Sequence, residues 1–388
     1  MSFFRFFTLV IILLLTSACI KNTSQTESPN DLYNVNVHVS DSILIRHNRL
    51  LNFHQYNTTR KLLLFSDPET HSAVITNQSG KIVKSFSFGG KEKNKTGIKI
   101  GAIGWIDLHN IGIISERGLF FFSEDGKLLE RIEKPSKHIN VLDQQLFTYT
   151  QNDRSCLIYR GNPFYDPETE DFVLGFENEK YYNHFRLLTQ LNLDDYTSKH
   201  IVGIEEESLF RRNPERTFQT MSAILAKQDN DLFVIFNPDP TLRIYDLAKQ
   251  AKLKQTIPLE LDHFVGEVDT KDFTKKLVTS STIVGLLPND DFFHSIYFSG
   301  VPDEFFPSMG LNMQEMNELT SEHNQLYLST HKKGEGKITN DIALPKNIAN
   351  IVAKLDNETF IAAPHRGRVE SPNYEKFYLI KISISKIE

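Results

Sequence analysis

Beyond residue 32 the chain alternates short apolar runs, rich in Phe, Tyr, Ile, Leu and Val, with Asn, Asp, Gly and Pro turns. That pattern predicts antiparallel strands joined by hairpins, and helical periodicity is nearly absent. Two stretches align. Leu62-Leu63-Leu64-Phe65-Ser66, Ala73-Val74-Ile75-Thr76, the turn Gln78-Ser79-Gly80-Lys81 and Ile82 to Phe88 make the first. Ile111 to Ser115, Leu119-Phe120-Phe121-Phe122, the turn Glu124-Asp125-Gly126-Lys127 and Leu128 to Ile132 make the second. Gly80 and Gly126 stand 46 residues apart, and each supplies the positive φ that a tight hairpin needs.

Looser copies follow. One triplet spans Asp171 to Phe176, Phe185 to Leu193 and Ser198 to Ile204 around Asp194-Asp195. Another comprises Leu232 to Phe236, Thr241 to Leu247 and Lys252 to Leu259 around Ala248-Lys249-Gln250. A fifth unit starts near Thr282 and includes Gln325 to Thr330 and Lys337 to Leu344. The sixth is Ile348 to Leu355, Thr359 to Ala363 and Phe377 to Ile384.

A period of roughly 45 residues with up to four strands per unit is the spacing of a β-propeller, whose units cover their apolar faces only by stacking round an axis. The expected fold is all-β: a propeller of six blades, mostly four-stranded antiparallel sheets. Residues 139–204 are long enough to hide a seventh, and a pair of β-sandwiches is the competing architecture. An early strand over Tyr33 to Val39 is expected to pair with the last blade and close the ring.

The N-terminus changes the picture from fold to location. Arg5, the apolar run Phe6 to Leu15 and small residues up to Ala18-Cys19 follow the order of a secretory signal. Ten apolar residues cover only about half of a hydrocarbon core. Leu15-Thr16-Ser17-Ala18-Cys19 resembles a bacterial lipobox, which implies cleavage before Cys19 and acylation of its thiol; an ordinary signal peptide with an incidental cysteine is the alternative. The division is then a signal peptide over 1–18, a lipidated cysteine and polar tether over 19–31, and one propeller over 32–388. Ile20 and Lys21 lack the Asp that retains lipoproteins at the inner membrane in some bacteria. The expectation is therefore an outer-membrane anchor, with a periplasmic or a surface face.

Cleavage would remove Arg5 from the 43 Lys and Arg residues and none of the 49 Asp and Glu residues, taking the net charge from −6 to −7. An acidic chain without a basic block is a poor match for nucleic acid or for electrostatic binding to anionic lipid. A monomer held to the membrane by its lipid is expected. With Cys19 acylated, Cys156 has no disulfide partner and reads as a buried small hydrophobe.

At Gly89-Gly90-Lys91 through Gly104, and again at Phe120-Phe121-Phe122-Ser123-Glu124-Asp125-Gly126-Lys127, the chain resembles the NHL-type, six-bladed propeller lipoproteins of gut and environmental bacteria. That resemblance covers about 60 to 135 and implies fold and envelope location; it implies no activity. Lys91 to Gly97 lacks the Pro and Gly-Glu of the loop that such proteins often carry.

Chemical motifs are sparse. No Gly-x-Ser-x-Gly elbow, phosphate loop or paired-histidine metal motif occurs, so no catalytic residue, metal or cofactor is assigned. Gly334-Glu335-Gly336-Lys337 reads as a hairpin turn, Asn237-Pro238-Asp239-Pro240 as a proline-fixed loop, and isolated histidines such as His184 and His294 as structural residues in strands. Two features exceed background. Arg211 and Arg212, with His365, Arg366 and Arg368, could hold a carboxylate or phosphate near the axis; a solvated loop is the plainer reading. Phe305 to His323 places Met309, Met313, Met316 and Leu319 on one face of a short helix, which either packs on the blades or docks a partner. Trp105, Phe164-Tyr165 and Tyr181-Tyr182 could line a glycan or peptide groove, or fill the space between blades. The functional expectation is a non-catalytic module that binds a protein or glycan, against a hydrolase or lyase whose acid, base and metal ligands come from different blades.

Overall fold

The computed structural model describes residues 33–133, 145–151, 154–161, 179–212, 223–237, 239–266, 273–306, 312–365 and 374–387. Six antiparallel sheets stand round one axis. Blade I is β2 (Asn52–Asn57), β3 (Leu62–Asp67), β4 (Ser72–Asn77) and β5 (Ile82–Ser87), from axis to rim. Blade II is β6 (Ile100–Trp105), β7 (Asn110–Ser115), β8 (Gly118–Ser123) and β9 (Leu128–Ile132). Blade III is β10 (Phe147–Gln151), β11 (Arg154–Arg160), β12 (Leu188–Asn192) and β13 (Ser198–Ile201). Blade IV is β14 (Ala223–Gln228), β15 (Asp231–Phe236), β16 (Thr241–Asp246) and β17 (Lys252–Pro258). Blade V is β18 (Thr282–Pro288), β19 (Phe292–Phe298), β20 (Leu326–Lys332) and a rim strand broken into β21 (Gly336–Lys337) and β22 (Ile342–Ala343).

Blade VI closes the ring. Its inner strands are β23 (Ile348–Lys354), β24 (Thr359–Pro364) and β25 (Glu375–Lys386), and its outermost strand is β1 (Tyr33–Ile45) from the other end of the chain. The closing strand is longer than the Tyr33 to Val39 run read from the sequence. A register shift between Val39 and Asp41 carries pairing on to Ile45.

Middle strands such as β7 and β15 are buried on both faces, so they read as continuous apolar runs rather than alternating ones. Rim strands such as β17 are almost wholly exposed. The core is six apolar layers, one between each pair of neighbouring blades: Phe120 and Ile75 sit between I and II, Leu157 and Phe121 between II and III, and Leu188 and Val234 between III and IV. Phe293 and Ile235 sit between IV and V, Phe360 and Leu328 between V and VI, and Phe65 and Ile361 between VI and I.

The two glycines that marked the repeat are fixed twice over. Gly80 has φ +82° and Gly126 +79°. A Cβ on Gly80 would lie 2.2 Å from the Leu44 carbonyl oxygen of the closing strand, and one on Gly126 would lie 2.5 Å from Phe86 Cβ in the neighbouring blade. Gly334 and Gly336, at φ +82° and +95°, form the expected hairpin between β20 and β21.

Two sequence readings change. Blade III takes its two inner strands from Phe147–Arg160, upstream of the expected triplet, and that region carries one blade among the described residues rather than two; Asp171 to Phe176 lies outside them. His184 ends a short helix, α1 (Glu179–His184), instead of lying in a strand. The insertion in blade V does contain a helix, Met313–His323, here called α4 after α2 (Leu209–Arg212) and α3 (Phe273–Thr279). Asn312 and Glu315 form its capping box. Met316 and Leu319 are half-buried, while Met309 falls outside the described residues. The signal, tether and Cys19, as well as Arg366, Arg368 and Phe164-Tyr165, also lie outside them.

Candidate functional site

The innermost strands β2, β6, β10, β14, β18 and β23 surround the axis, and β2, β14, β18 and β23, with residues at the start of β10, enclose two adjoining chambers. One, of about 340 Å³, lies where these strands begin and is bounded by Arg160, Ala223, Val284, Gly285 and Asn350. The other, of about 370 Å³, lies where they end and is bounded by Tyr56, Lys227, Gln228, Pro288 and Lys354. Phe53, His54, Gln145, Leu225, Leu286, Leu287 and Val352 face both. These volumes are at the small end of the roughly 300–1,000 Å³ typical of small-molecule pockets.

Local irregularity aims side chains into this space. The ladders of β2, β6, β18 and β23 are each interrupted by a bulge. A bulge leaves one residue without a cross-strand partner and re-aims it. In β2 that residue is His54, in β18 it is Val284 and in β23 it is Val352, and all three line the chambers.

Several polar side chains on the wall or behind it join blades. Gln55 Oε1 accepts from the Trp105 backbone amide at 2.6 Å, linking I to II. Arg160 donates to the Ala223 carbonyl, linking III to IV. Buried Asn237 pairs both ways with the backbone of Ile283, at 3.0 and 2.8 Å, linking IV to V. The Asn350 amide donates to the Val284 carbonyl at 2.8 Å, linking VI to V. A His54 ring nitrogen lies 2.7 Å from Ser66 Oγ within blade I.

Two ammonium groups are held differently. Lys354 Nζ donates to Asn289 Oδ1 at 2.6 Å and forms no ion pair among the described residues. Lys227, half-buried on β14, has neither a hydrogen bond nor an ion pair among the described residues. Burial holds its ammonium below the ordinary lysine value, opposed by the nearby Asp229 carboxylate. No Asp or Glu lines either chamber among the described residues, although the chain carries net charge −6. The channel therefore inverts the sign of the protein. Its walls offer cations, amides and an aliphatic girdle, which suit an anion; they offer no paired carboxylates for acid–base work.

Of the arginine and histidine candidates, those within the described residues, Arg211, Arg212 and His365, stand elsewhere. Arg211 on α2 donates from Nε to the Ile204 carbonyl at 3.0 Å, and from its terminal nitrogens to Asn183 Oδ1 at 2.6 Å and the Tyr182 carbonyl at 3.0 Å. It thereby stitches α2 to α1. Arg212 is the last residue of α2. His365 follows β24, its amide donating to the Asn347 carbonyl at 2.8 Å. Neither Arg211 nor His365 lines either chamber. Trp105 and Tyr182 are buried packing residues, as is the free thiol Cys156. His294 and His331 are buried in blade V, with His294 beside Thr330 Oγ1 and His331 beside Ser329 Oγ, both at 3.0 Å. No group of three His, Cys, Asp or Glu placed to hold a metal occurs among the described residues.

Lys227 escaped the sequence reading because its inner strand carries little strand signal, and Lys354, although within the run Ile348 to Leu355 read as a strand, carries no local mark of a site. Ala223 to Gln228 mixes Ala, Ile, Leu, Lys and Gln, and bulges disturb the alternation in β2, β6, β18 and β23. The available signal was positional: each inner strand ends a few residues before the first long apolar run of its blade.

No protein-family model and no curated protein matches the sequence. Among solved structures, the chain is similar to a member of the DUF4221 family from Bacteroides vulgatus, with TM-score 0.67 and 9% identity over 92% of this chain and 100% of that one. It is also similar to a candidate exported protein from Bacteroides fragilis, with TM-score 0.50 and 11% identity over 92% of this chain and 98% of the other. At such identities these likenesses establish the fold: the protein is a six-bladed β-propeller.

Proposed function

We propose that the protein is a lipid-anchored module of the bacterial cell envelope that binds a protein or glycan partner without transforming it. The observation that carries this reading is the composition of the axial wall. Lys227, Lys354, Arg160 and His54 face the chambers with amides and aliphatic side chains, and no carboxylate joins them among the described residues. A glycosidase needs two carboxyl groups across the scissile bond, and a metal-dependent enzyme needs converging ligands. Anchoring rests on Arg5, the run Phe6 to Leu15 and the lipobox ending at Cys19. A lipid with two or more chains would tether stably, and the polar 20–31 segment would give the propeller reach. Ile20 and Lys21 favour the outer membrane. The exposed large apolar residues, such as Leu50, Leu108 and Leu253, belong to different blades and loops, which suits a monomer.

The test is a screen of the propeller, residues 32–388, against glycan and peptide libraries with and without chelator. Binding without turnover is expected; cleavage of any library member overturns the reading. In whole cells, Cys19→Ser should release the protein from the membrane fraction, and retention there would sink the anchoring.

A further inference from the structure

We propose that the chamber at the ends of the inner strands binds a small organic carboxylate with an apolar body, its head group at the wall that carries Lys227 and Lys354. This deepens the reading of the channel as a binding site and rests on it.

Apart from Thr58 and Gln145, the other polar groups that face the chambers have structural partners. Gln55, Arg160 and Asn350 hold neighbouring blades together, His54 meets Ser66, and the Tyr56 hydroxyl accepts from Gln78 Nε2 at 2.8 Å. Lys227 has no such role. It extends from β14 into the same chamber as Lys354 from β23, and Leu287 and Pro288 of blade V lie on the wall with them. Partial burial of an ammonium costs free energy, and no hydrogen bond or ion pair among the described residues engages the Lys227 side chain there. Asp229 acts on it only at a distance. A ligand carboxylate would satisfy it, and charge-assisted bonds to ammonium groups are among the stronger polar contacts.

The apolar part follows from the girdle. Leu225, Leu286, Leu287, Val352 and Phe53 face both chambers, so a ligand held at Lys227 and Lys354 would lay its body along aliphatic and aromatic carbon. Lysine is a compact point charge rather than a planar fork, which suits a single carboxylate and gives inorganic phosphate little purchase without arginine or backbone donors.

The experiment is calorimetric titration of residues 32–388 with octanoate, octanol and inorganic phosphate, in low and in high salt. Octanoate is expected to bind and to weaken in high salt, with octanol and phosphate at least about tenfold weaker. Lys227→Met should reduce octanoate affinity by about tenfold or more while leaving the thermal midpoint unchanged or slightly higher, because the half-buried ammonium makes no hydrogen bond or ion pair among the described residues. Lys354→Met should weaken octanoate in the same sense, and Lys81→Met, in an exposed hairpin, should leave it unchanged. The proposal is overturned if octanol or phosphate binds as tightly as octanoate. It is equally overturned if Lys227→Met, still folded, binds as the parent does, or if octanoate shows no heat at about millimolar concentration. Those outcomes leave partner binding without turnover intact, whereas cleavage of a library member would remove that broader reading whether or not octanoate binds.

Discussion

Tyr33 and Lys386, at opposite ends of the described chain, are Cα partners in one antiparallel ladder that continues to Ile45 and Glu375. The first strand is therefore the outer edge of the last blade, and the six-membered ring is locked by pairing rather than by a covalent bond. Near the far end of the seam, the Leu51 amide donates to the buried Glu375 Oε1 at 3.0 Å. Val35 enters the apolar layer between blades V and VI, while Ile43 and Ile45 enter the layer between VI and I.

Removing residues 33–45 should thus expose β25 as an unpaired edge and open two layers at once. Loss of a single cooperative unfolding transition is the expected result in calorimetry. Ile43→Ala tests the seam more gently, with an expected cost of about 2–5 kcal/mol in urea unfolding. An unchanged midpoint for both would mean that the seam contributes nothing.

Phe360 is fully buried between blades V and VI, 5.8 Å from the His294 ring and edge-on to it. Truncating it leaves a cavity that the rigid strands on either side cannot close. Phe360→Ala should destabilise by about 3–5 kcal/mol, and Phe360→Leu by much less. Equal costs for the two substitutions would contradict a packing role.

Blade V also sets an acid limit. Burial is the largest cause holding His294 down to about 3 and His331 down to about 4, from 6.5; nearby charge adds to it, from His331 and Lys354 at His294 and from Lys337 at His331, where Asp341 opposes. Both are neutral in the folded protein at pH 6, while their unfolded counterparts take up protons below 6.5. Their contribution is therefore complete above pH 6.5 and is lost as pH falls, until about 4 for His331 and about 3 for His294. Each should add a slope of up to about 1.4 kcal/mol per pH unit in that window. Urea midpoints between pH 7 and 4 should fall less steeply in His331→Gln; a parallel curve would show that the ring titrates normally in place.

Where the rim strand of blade V breaks, Lys337 Nζ lies 2.5 Å from Asp262 and 2.9 Å from Asp341, and Tyr297 donates to Asp341 at 2.5 Å. The side chains of Lys337 and Asp341 are 2% and 0% exposed. Lys337→Met would leave a buried carboxylate with its cation gone, at an expected cost of about 3–5 kcal/mol. The double change Lys337→Met with Asp341→Leu should recover much of that loss. If it recovers none, the cluster matters for shape rather than charge.

The strands most plainly legible in the sequence were those of the middle of each blade, with rim strands such as Lys252 to Pro258 and the inner strand Ile348 to Lys354 also marked. Leu62 to Asp67, Gly118 to Ser123 and Asp231 to Phe236 are covered on both faces by neighbouring blades, so nearly every position selects an apolar residue and the run stands out. The turns at Gly80 and Gly126 were equally plain, since a left-handed backbone close to another chain segment admits little but glycine. Repetition of such units was enough to determine a ring, and an extra strand at Tyr33 was enough to suggest its closure.

The site at the axis was decided only in three dimensions. Strands of several blades contribute a few residues each to a shared wall, and no single inner strand carries the pattern of a site. Lys227 and Lys354 are 127 positions apart in the chain. Nothing local distinguishes either from the many lysines that face water; they become a pair because β14 and β23 end at the same chamber. Hydrophobic patterning acts between neighbours along a strand and therefore writes the blades into the sequence. The cavity arises from closure of six blades on one axis, a relation among distant residues that only the folded ring creates.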